Sequence, residues 1–91
     1  MNEIFWVGPE NVGVGVWKFV RVGEEFRFFD LDHFHRSAVR DEELPRVQSA
    51  GIVGIFDGGK FRCFESHSVT LSIRGDDTER LSKALRMRPL N

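Results

Sequence analysis

The sequence predicts an α+β fold, in which a curved antiparallel sheet of five to six strands carries one short helix and one C-terminal helix. Two patterns support this prediction. Apolar and polar residues alternate along most of the chain between glycine-containing turns, and a helical period replaces the alternation near the end. The 91 residues, 41% hydrophobic and 30% charged, suffice for a single globular domain over 1–91.

The first two strands are expected over residues 3–7 and 12–22. The first is a short β-type run that Gly8 and Pro9 close. In the second run, alternation places the valines on one face of the strand and Trp17 and Phe19 on the other.

A two-residue loop of Gly23 and Glu24 suits a type II′ turn, which takes glycine at its first central position. It would pair Val22 with Glu25 and fold the second strand back on residues 25–30. In that register one face of the hairpin collects four aromatic residues and is predicted to face the core: Trp17, Phe19, Phe26 and Phe28.

The period of two is lost over residues 36–51, where a short helix is expected. Asp41 is placed to cap this helix, and Pro45 fits only its first turn. The helix should therefore have at most two turns and end by Gly51.

A second hairpin is predicted over residues 51–66, with its turn in the Asp-Gly-Gly stretch at 57–59. It would place Arg62 across from Ile55 or Val53. Residues 68–73 alternate and are rich in β-branched side chains, so they are expected to form another strand or to continue this one.

The C-terminal helix is predicted over residues 76–88. Asp76 and Glu79 have the spacing of a capping box, and Pro89 would stop the helix. The apolar stripe that should pack on the sheet consists of Leu81, Ala84 and Leu85.

Residues 23–30 and 58–65 align without gaps at an offset of 35, and the same offset maps Asp41 onto Asp76. One interpretation is a duplicated β-β-α unit. The other is that two hairpins independently use glycine turns and alternating phenylalanines.

The net charge of −1 provides no overall attraction for nucleic acid or acidic lipid, so neither partner is expected. Residues 1–45 carry 5 basic and 9 acidic side chains (5 − 9 = −4), and residues 46–91 carry 8 and 5 (8 − 5 = +3). This asymmetry, with open strand edges, predicts a symmetric homodimer. Cys63 is the single cysteine, and the N-terminus lacks a signal peptide, so a soluble cytoplasmic protein without a membrane span is expected.

The stretch DLDHFHR at residues 30–36 carries the densest polar chemistry. In a continued strand its two carboxylates and two imidazoles would point to opposite faces and would not ligate one ion. One hypothesis is a metal-free polar strand end, in which Asp32 pairs with Arg36 and both histidines titrate as ordinary imidazoles. The alternative is a three-histidine metal site or small enzyme centred on His33, His35 and His67.

A second candidate site rests on two arginines that occupy equivalent positions in the two hairpins. The candidate residues are Arg27, Arg62, Trp17 and His67. They would bind a protein or small-molecule ligand by holding a carboxylate, a phosphate or a stacked ring of that ligand. Cys63 is expected to be a buried, unreactive thiol on the same strand face as Phe61.

No catalytic constellation or cofactor motif is complete in the sequence. The leading hypothesis is therefore a small binding or interaction module of unknown ligand, working as a homo-oligomer without catalytic activity. The first alternative is the histidine-centred metal protein or enzyme, and the second is weak nucleic-acid binding by the basic C-terminal half.

Overall fold

The computed structural model describes residues 6–65 and 74–90 and has the predicted α+β architecture. A five-stranded sheet has the order β2-β1-β3-β4-β5. Adjacent strands run antiparallel, except that β4 and β5 run parallel. The strands are β1 (Gly15–Val22), β2 (Glu25–Phe29), β3 (Val47–Phe56), β4 (Lys60–Phe64) and β5 (Arg88–Pro89), and the helix is α1 (Asp77–Leu85).

The predicted first hairpin is confirmed. Val22 pairs with Glu25 and Phe19 with Phe28, and Gly23 adopts φ +60°, as the first central position of a type II′ turn requires. The expected strand over residues 12–22 begins only at Gly15, and β2 ends at Phe29.

One sheet face carries the main core and packs against α1, as the sequence predicts. Leu81 is fully buried and Leu85 nearly so, and both belong to the same hydrophobic cluster as the aromatic face of the first hairpin. This confirms that the helix is docked through its apolar stripe. The buried members of the cluster are Val12, Phe19, Phe26, Phe28, Val53, Ile55, Phe61, Leu81 and Leu85.

A second, smaller cluster lies on the opposite face, under the segment that joins β2 to β3. Ala38 and Val39 of this segment pack on Val20, Val22 and Phe29. The segment contains two short 3₁₀-helices, His35–Ala38 and Asp41–Arg46, and the second lies where the short helix was expected to begin. Residues 47–51 belong to β3 and not to a helix, because they complete the ladder with β1.

The turn between β3 and β4 has three residues, and both of its glycines have positive φ, at +85° and +73°. This register pairs Arg62 with Gly54, so the expected pairing of Arg62 with Ile55 or Val53 is wrong. Arg62 therefore lies on the face opposite α1.

The chain turns sooner after α1 than predicted. Arg86 takes a left-handed conformation (φ 58°, ψ 43°) and ends the helix at Leu85, so residues 86–88 are not helical. Arg88 N–H then donates to Gly59 and Leu90 N–H to Phe61, which forms β5. Asp76 occupies the N-cap position, but its carboxylate makes no capping hydrogen bond.

A buried ion pair, which the sequence did not predict, joins the first hairpin to the start of α1. The guanidinium of Arg21 lies 3.2 Å from the carboxylate of Asp77, and both side chains are almost fully buried. The other oxygen of Asp77 accepts the Arg74 N–H at 2.8 Å. Asp76 is engaged by Arg80 at 2.7 Å, which lowers the pKa of that carboxyl group.

The two aligned hairpins are similar in the structure, but the chain takes a different course after each one. Phe26 and its equivalent Phe61 face α1, and Arg27 and Arg62 point to the opposite face. After β2 the chain crosses the face away from α1, whereas after β4 it supplies α1 itself. The similarity is thus confined to the hairpins and does not extend to a β-β-α unit.

Two predicted strands fall wholly or partly outside the described residues. Residues 68–73 lie outside them, and of residues 3–7 only Trp6 and Val7 are described. Val7 forms an isolated antiparallel bridge with Phe28 on the outer edge of β2. Within residues 6–65 and 74–90, no helix combines the length and the apolar character needed to cross a membrane.

Candidate binding surface

The face opposite α1 is only partly covered. The segment between β2 and β3 covers the end of this face where β1 finishes, and it leaves the end where β1 begins exposed. We call the uncovered part the open patch. Val16 is 54% exposed there, Phe56 42% and Phe64 40%. The open patch consists of Val16, Ile52, Gly54, Phe56, Phe64 and, at its edge, Phe34.

Strand register explains how these residues come together. Val16 of β1 pairs with Gly54 of β3, which pairs with Arg62 of β4. One step along, Ile52 lies between Lys18 and Phe64 in the same way. Residues paired across neighbouring strands share a face, so these side chains all project from one side of the sheet.

Gly54 lies at the centre of the open patch beneath two aromatic rings. A Cβ atom built at this position would lie 3.4 Å from Phe64 Cε2 and 3.5 Å from Phe56 Cζ. These are ordinary van der Waals distances, so both rings lie over the backbone of β3 at Gly54. The result is a low aromatic surface with no side chain standing between the rings.

Cationic groups border these rings. The Lys18 ammonium lies 5.8 Å from the ring centroid of Phe34, which is 77% exposed, and donates to the His33 carbonyl at 2.6 Å. The Arg62 guanidinium lies 5.3 Å from the ring centroid of Phe64. Both distances are within the range in which a cation is attracted to a ring face.

Lys60 and Arg88 add two further cations at the β4–β5 end. They are paired in the parallel ladder, and register places them on the same face as Arg62. In the part of the chain that the structure describes, Lys18, Lys60, Arg62 and Arg88 form no ion pair with a carboxylate. Three carboxylates are nearby: Asp30, whose charge interacts with that of Lys18, and Asp57 and Glu65, which follow Phe56 and Phe64 in the chain.

The predicted ligand set of Arg27, Arg62, Trp17 and His67 is not gathered at one place among the described residues. Trp17 lies on the α1 face, where its indole N–H donates to the Gly13 carbonyl at 2.9 Å. Arg27 and Arg62 share a face, but β1 and β3 separate their strands, a distance of roughly 14 Å for three strand spacings. His67 lies outside the described residues.

Arg27 is committed to holding the covering segment in place. Its guanidinium makes two bonds to the Glu43 carboxylate, at 2.6 and 2.9 Å, and a third to the Ala38 carbonyl at 2.7 Å. Glu25 and the Trp6 ring complete its surroundings. The hydrogen bonds from Arg27 lower the pKa of Glu43 to about 2. We interpret Arg27 as a structural anchor.

The DLDHFHR stretch is a turn and a 3₁₀-helix, so strand parity does not apply beyond Phe29. His33 Nδ1 lies 2.6 Å from Asp30 Oδ1, and hydrogen bonding to His33 lowers the pKa of Asp30. The expected pairing of Asp32 with Arg36 is wrong, because Arg36 bonds Asp41 and the Val39 carbonyl instead.

His35 departs from the expectation of an ordinary, solvated imidazole. It is 8% exposed, its Nε2 lies 3.0 Å from the Gly51 carbonyl, and its ring meets Phe29 edge-on at 5.5 Å. Burial lowers its pKa below the usual value. A neutral ring that donates from Nε2 fits these surroundings. We therefore interpret His35 as a structural residue beside the smaller hydrophobic cluster.

No other cluster with metal-binding or nucleophilic chemistry is present in the described ranges. There, no three His, Cys, Asp or Glu side chains are grouped as a metal site. Cys63 packs against the α1-face core, as predicted, and burial raises the pKa of its thiol to about 11, which disfavours the reactive thiolate.

The open patch was missed in the sequence analysis because its members come from separated positions. Phe56 and Phe64 flank the second turn at positions of equal parity, and Gly54 lies two residues before Phe56; this pattern was a usable signal. Phe34 and Lys18 meet only through the fold of the crossing segment. In comparisons with known proteins, no family model, no curated protein and no solved structure matches the chain.

Proposed function

We propose that this chain is a small binding module whose working surface is the open patch, without catalytic activity of its own. The observation that carries the proposal is the exposure of Phe56 and Phe64 side by side over Gly54. Apolar side chains that stay in water on a domain with a well-filled opposite face are typical of a surface that another molecule covers.

The chemistry around the open patch supports binding over catalysis. Its polar groups, Lys18 and Arg62, hold a positive charge at neutral pH and are poor proton acceptors. The candidate general base His35 is engaged with Gly51, and the Cys63 thiol is held protonated by burial. The three-histidine hypothesis would need His67, which lies outside the described residues; among the described contacts, His33 meets Asp30 and His35 meets Gly51.

We also propose that the module forms a homodimer, as expected from the sequence, and that it works in the cytoplasm. The open patch is a poor site for that contact, because a two-fold axis through it would bring the same unpaired cations together. Sedimentation at micromolar concentration tests this part separately, and a 10.5 kDa species would exclude the dimer.

The binding surface can be tested with 8-anilinonaphthalene-1-sulfonate, a dye with apolar rings and one anionic group. We expect the folded wild type to bind the dye with a rise in fluorescence, and Phe56→Ser with Phe64→Ser to abolish that rise. Leu44→Ser is the matched control, because Leu44 is 44% exposed but lies on the crossing segment.

All variants should first show the wild-type circular dichroism spectrum, because partly unfolded chains also bind this dye. Dye binding by the folded double variant at the wild-type level would contradict the proposal.

A further inference from the structure

The open patch combines stacking surfaces and unneutralised positive charge, and this combination identifies a class of partner. We propose that the open patch binds a single-stranded nucleic acid, with Phe34, Phe56 and Phe64 stacking on bases and the surrounding cations contacting phosphates. This inference rests on the proposed function, since it names the partner of the same surface.

The aromatic rings match unpaired bases. Every base has a flat π-face, and exposed phenylalanines on a sheet can stack on such faces without recognising a particular sequence. Phe56 and Phe64 lie low over Gly54, so a base can approach them without meeting a side chain at the centre. Bases within a duplex are already stacked on each other, which favours a single strand as the partner.

The cations match a phosphate backbone. Lys18, Lys60, Arg62 and Arg88 lie on β1, β4 and β5, so they surround the rings on opposite sides. From β1 to β5 the sheet spans three strand spacings, roughly 14 Å. A sheet surface of this width can stack about two or three bases.

The overall charge of −1 does not oppose this assignment, because many of the acidic groups are neutralised elsewhere. Asp76, Asp77 and Glu24 pair with Arg21 and Arg80 at the start of α1. On the crossing segment, Glu43 pairs with Arg27. A charged ligand responds to the local field at the surface that it approaches, and here four cations outnumber the three carboxylates nearby, Asp30, Asp57 and Glu65.

Other occupants fit this surface less well. A second copy of the chain would place like charges opposite each other across a two-fold axis. An acidic peptide would satisfy the cations, but its carboxylates would leave the exposed faces of Phe56 and Phe64 uncovered. A ligand with alternating anionic and flat aromatic groups satisfies both parts of the open patch.

Fluorescence anisotropy with labelled 12-nucleotide oligo(dT) and oligo(rU) tests the inference, the two arms distinguishing DNA from RNA. We expect binding that weakens with salt, with a logarithmic slope of about −3 for four phosphate contacts. Phe64→Ala should weaken binding roughly tenfold, as expected for loss of one stacking contact. Arg62→Ala should weaken binding and make the slope shallower by about 0.7.

Two matched controls accompany these variants. Leu44→Ala removes a comparably exposed apolar side chain, and Lys83→Ala removes an exposed cation on α1; both should bind as the wild type does. A ten-residue polyglutamate peptide should compete at least tenfold less well than oligo(dT).

The outcomes separate the inference from the proposed function. If the dye binds at the open patch but neither oligonucleotide binds at 100 µM, the inference is overturned and the proposed binding module stands. This concentration is about a hundredfold above a 1 µM Kd. Equal competition by polyglutamate, or oligonucleotide binding that Phe64→Ala and Arg62→Ala leave unchanged, would also overturn it. Failure of the wild type to bind either the dye or an oligonucleotide would overturn the proposed function itself.

Discussion

The two faces of the sheet are built from the same alternating strands, yet they have different fates. On the α1 face, Phe19, Phe28 and Phe61 are fully buried beneath Leu81. On the opposite face, Val20 and Phe29 are equally buried at one end, whereas Phe64 keeps 40% of its surface in water at the other. Residue type does not explain this difference, since phenylalanines occur on both faces.

The faces differ in where the crossing chain lies and not in how long it is. The α1 face is covered by a nine-residue helix whose apolar stripe runs along it. The opposite face is crossed by residues 30–46, whose two short 3₁₀-helices lie only over the end of the sheet where Arg27 contacts Glu43. An alternating strand therefore supplies two apolar faces, but the connecting segments decide which parts of them become core.

The largest effect on the partly covered face is expected at Glu43. Glu43→Gln removes the charge opposite Arg27 and should lower the free energy of unfolding by about 2 kcal/mol at pH 7, as for hydrogen bonds to a charged group. The neighbouring Glu42, exposed and without such a contact, gives the control variant Glu42→Gln. Chemical denaturation measures both, and equal losses would mean that this contact does not hold the segment.

The same contact predicts a dependence on pH. The pKa of Glu43 is about 2 in the folded chain against an ordinary value of 4.5, so its stabilisation is present above pH 4.5 and is lost as the pH falls towards 2. The difference in stability between the wild type and Glu43→Gln should shrink over that range. A difference that stays constant down to pH 2 would contradict the assignment.

A smaller effect is expected at His35. His35→Gln should cost about 1–2 kcal/mol through the disturbed bond to Gly51 and the lost contact with Phe29. Because burial lowers the pKa of His35, protons bind the unfolded chain more tightly, and the wild type should lose stability as the pH falls below about 6.5. This loss should diminish in His35→Gln.

His33→Gln is the control for His35, because its ring is partly exposed and contacts the exposed Asp30. We expect it to leave the stability at pH 7 close to that of the wild type and to keep the loss of stability below pH 6.5. If the two variants behaved alike at pH 7 and pH 5.5, the distinction between the two histidines would be wrong.

Local patterns predicted the hairpins and the docked helix well. The register of β1 with β2 follows from one glycine turn, and the packing of Leu81 and Leu85 follows from their helical spacing. Helix ends were predicted less well. Nothing in the local pattern requires Arg86 to adopt a left-handed conformation, after which the chain forms the β5 bonds to Gly59 and Phe61.

The site was harder to predict than the fold, because it depends on long-range placement. The sequence suggested that Arg27 and Arg62 have equivalent roles, but Arg27 meets Glu43 and is buried whereas Arg62 stays at the surface. That divergence arises because the crossing segment covers only the end of the sheet near Arg27. The burial of His35 has the same origin.

The central claim is that one face maintains the fold while the uncovered end of the other remains available to a partner. The most direct test compares Phe61→Ala with Phe64→Ala, two truncations on β4 that point to opposite faces. Chemical denaturation should show a loss of about 3–5 kcal/mol for Phe61→Ala, or failure to fold. It should show a loss of less than about 1 kcal/mol for Phe64→Ala. Equal losses in the two variants would show that the open patch is part of the stabilising core and would contradict the claim.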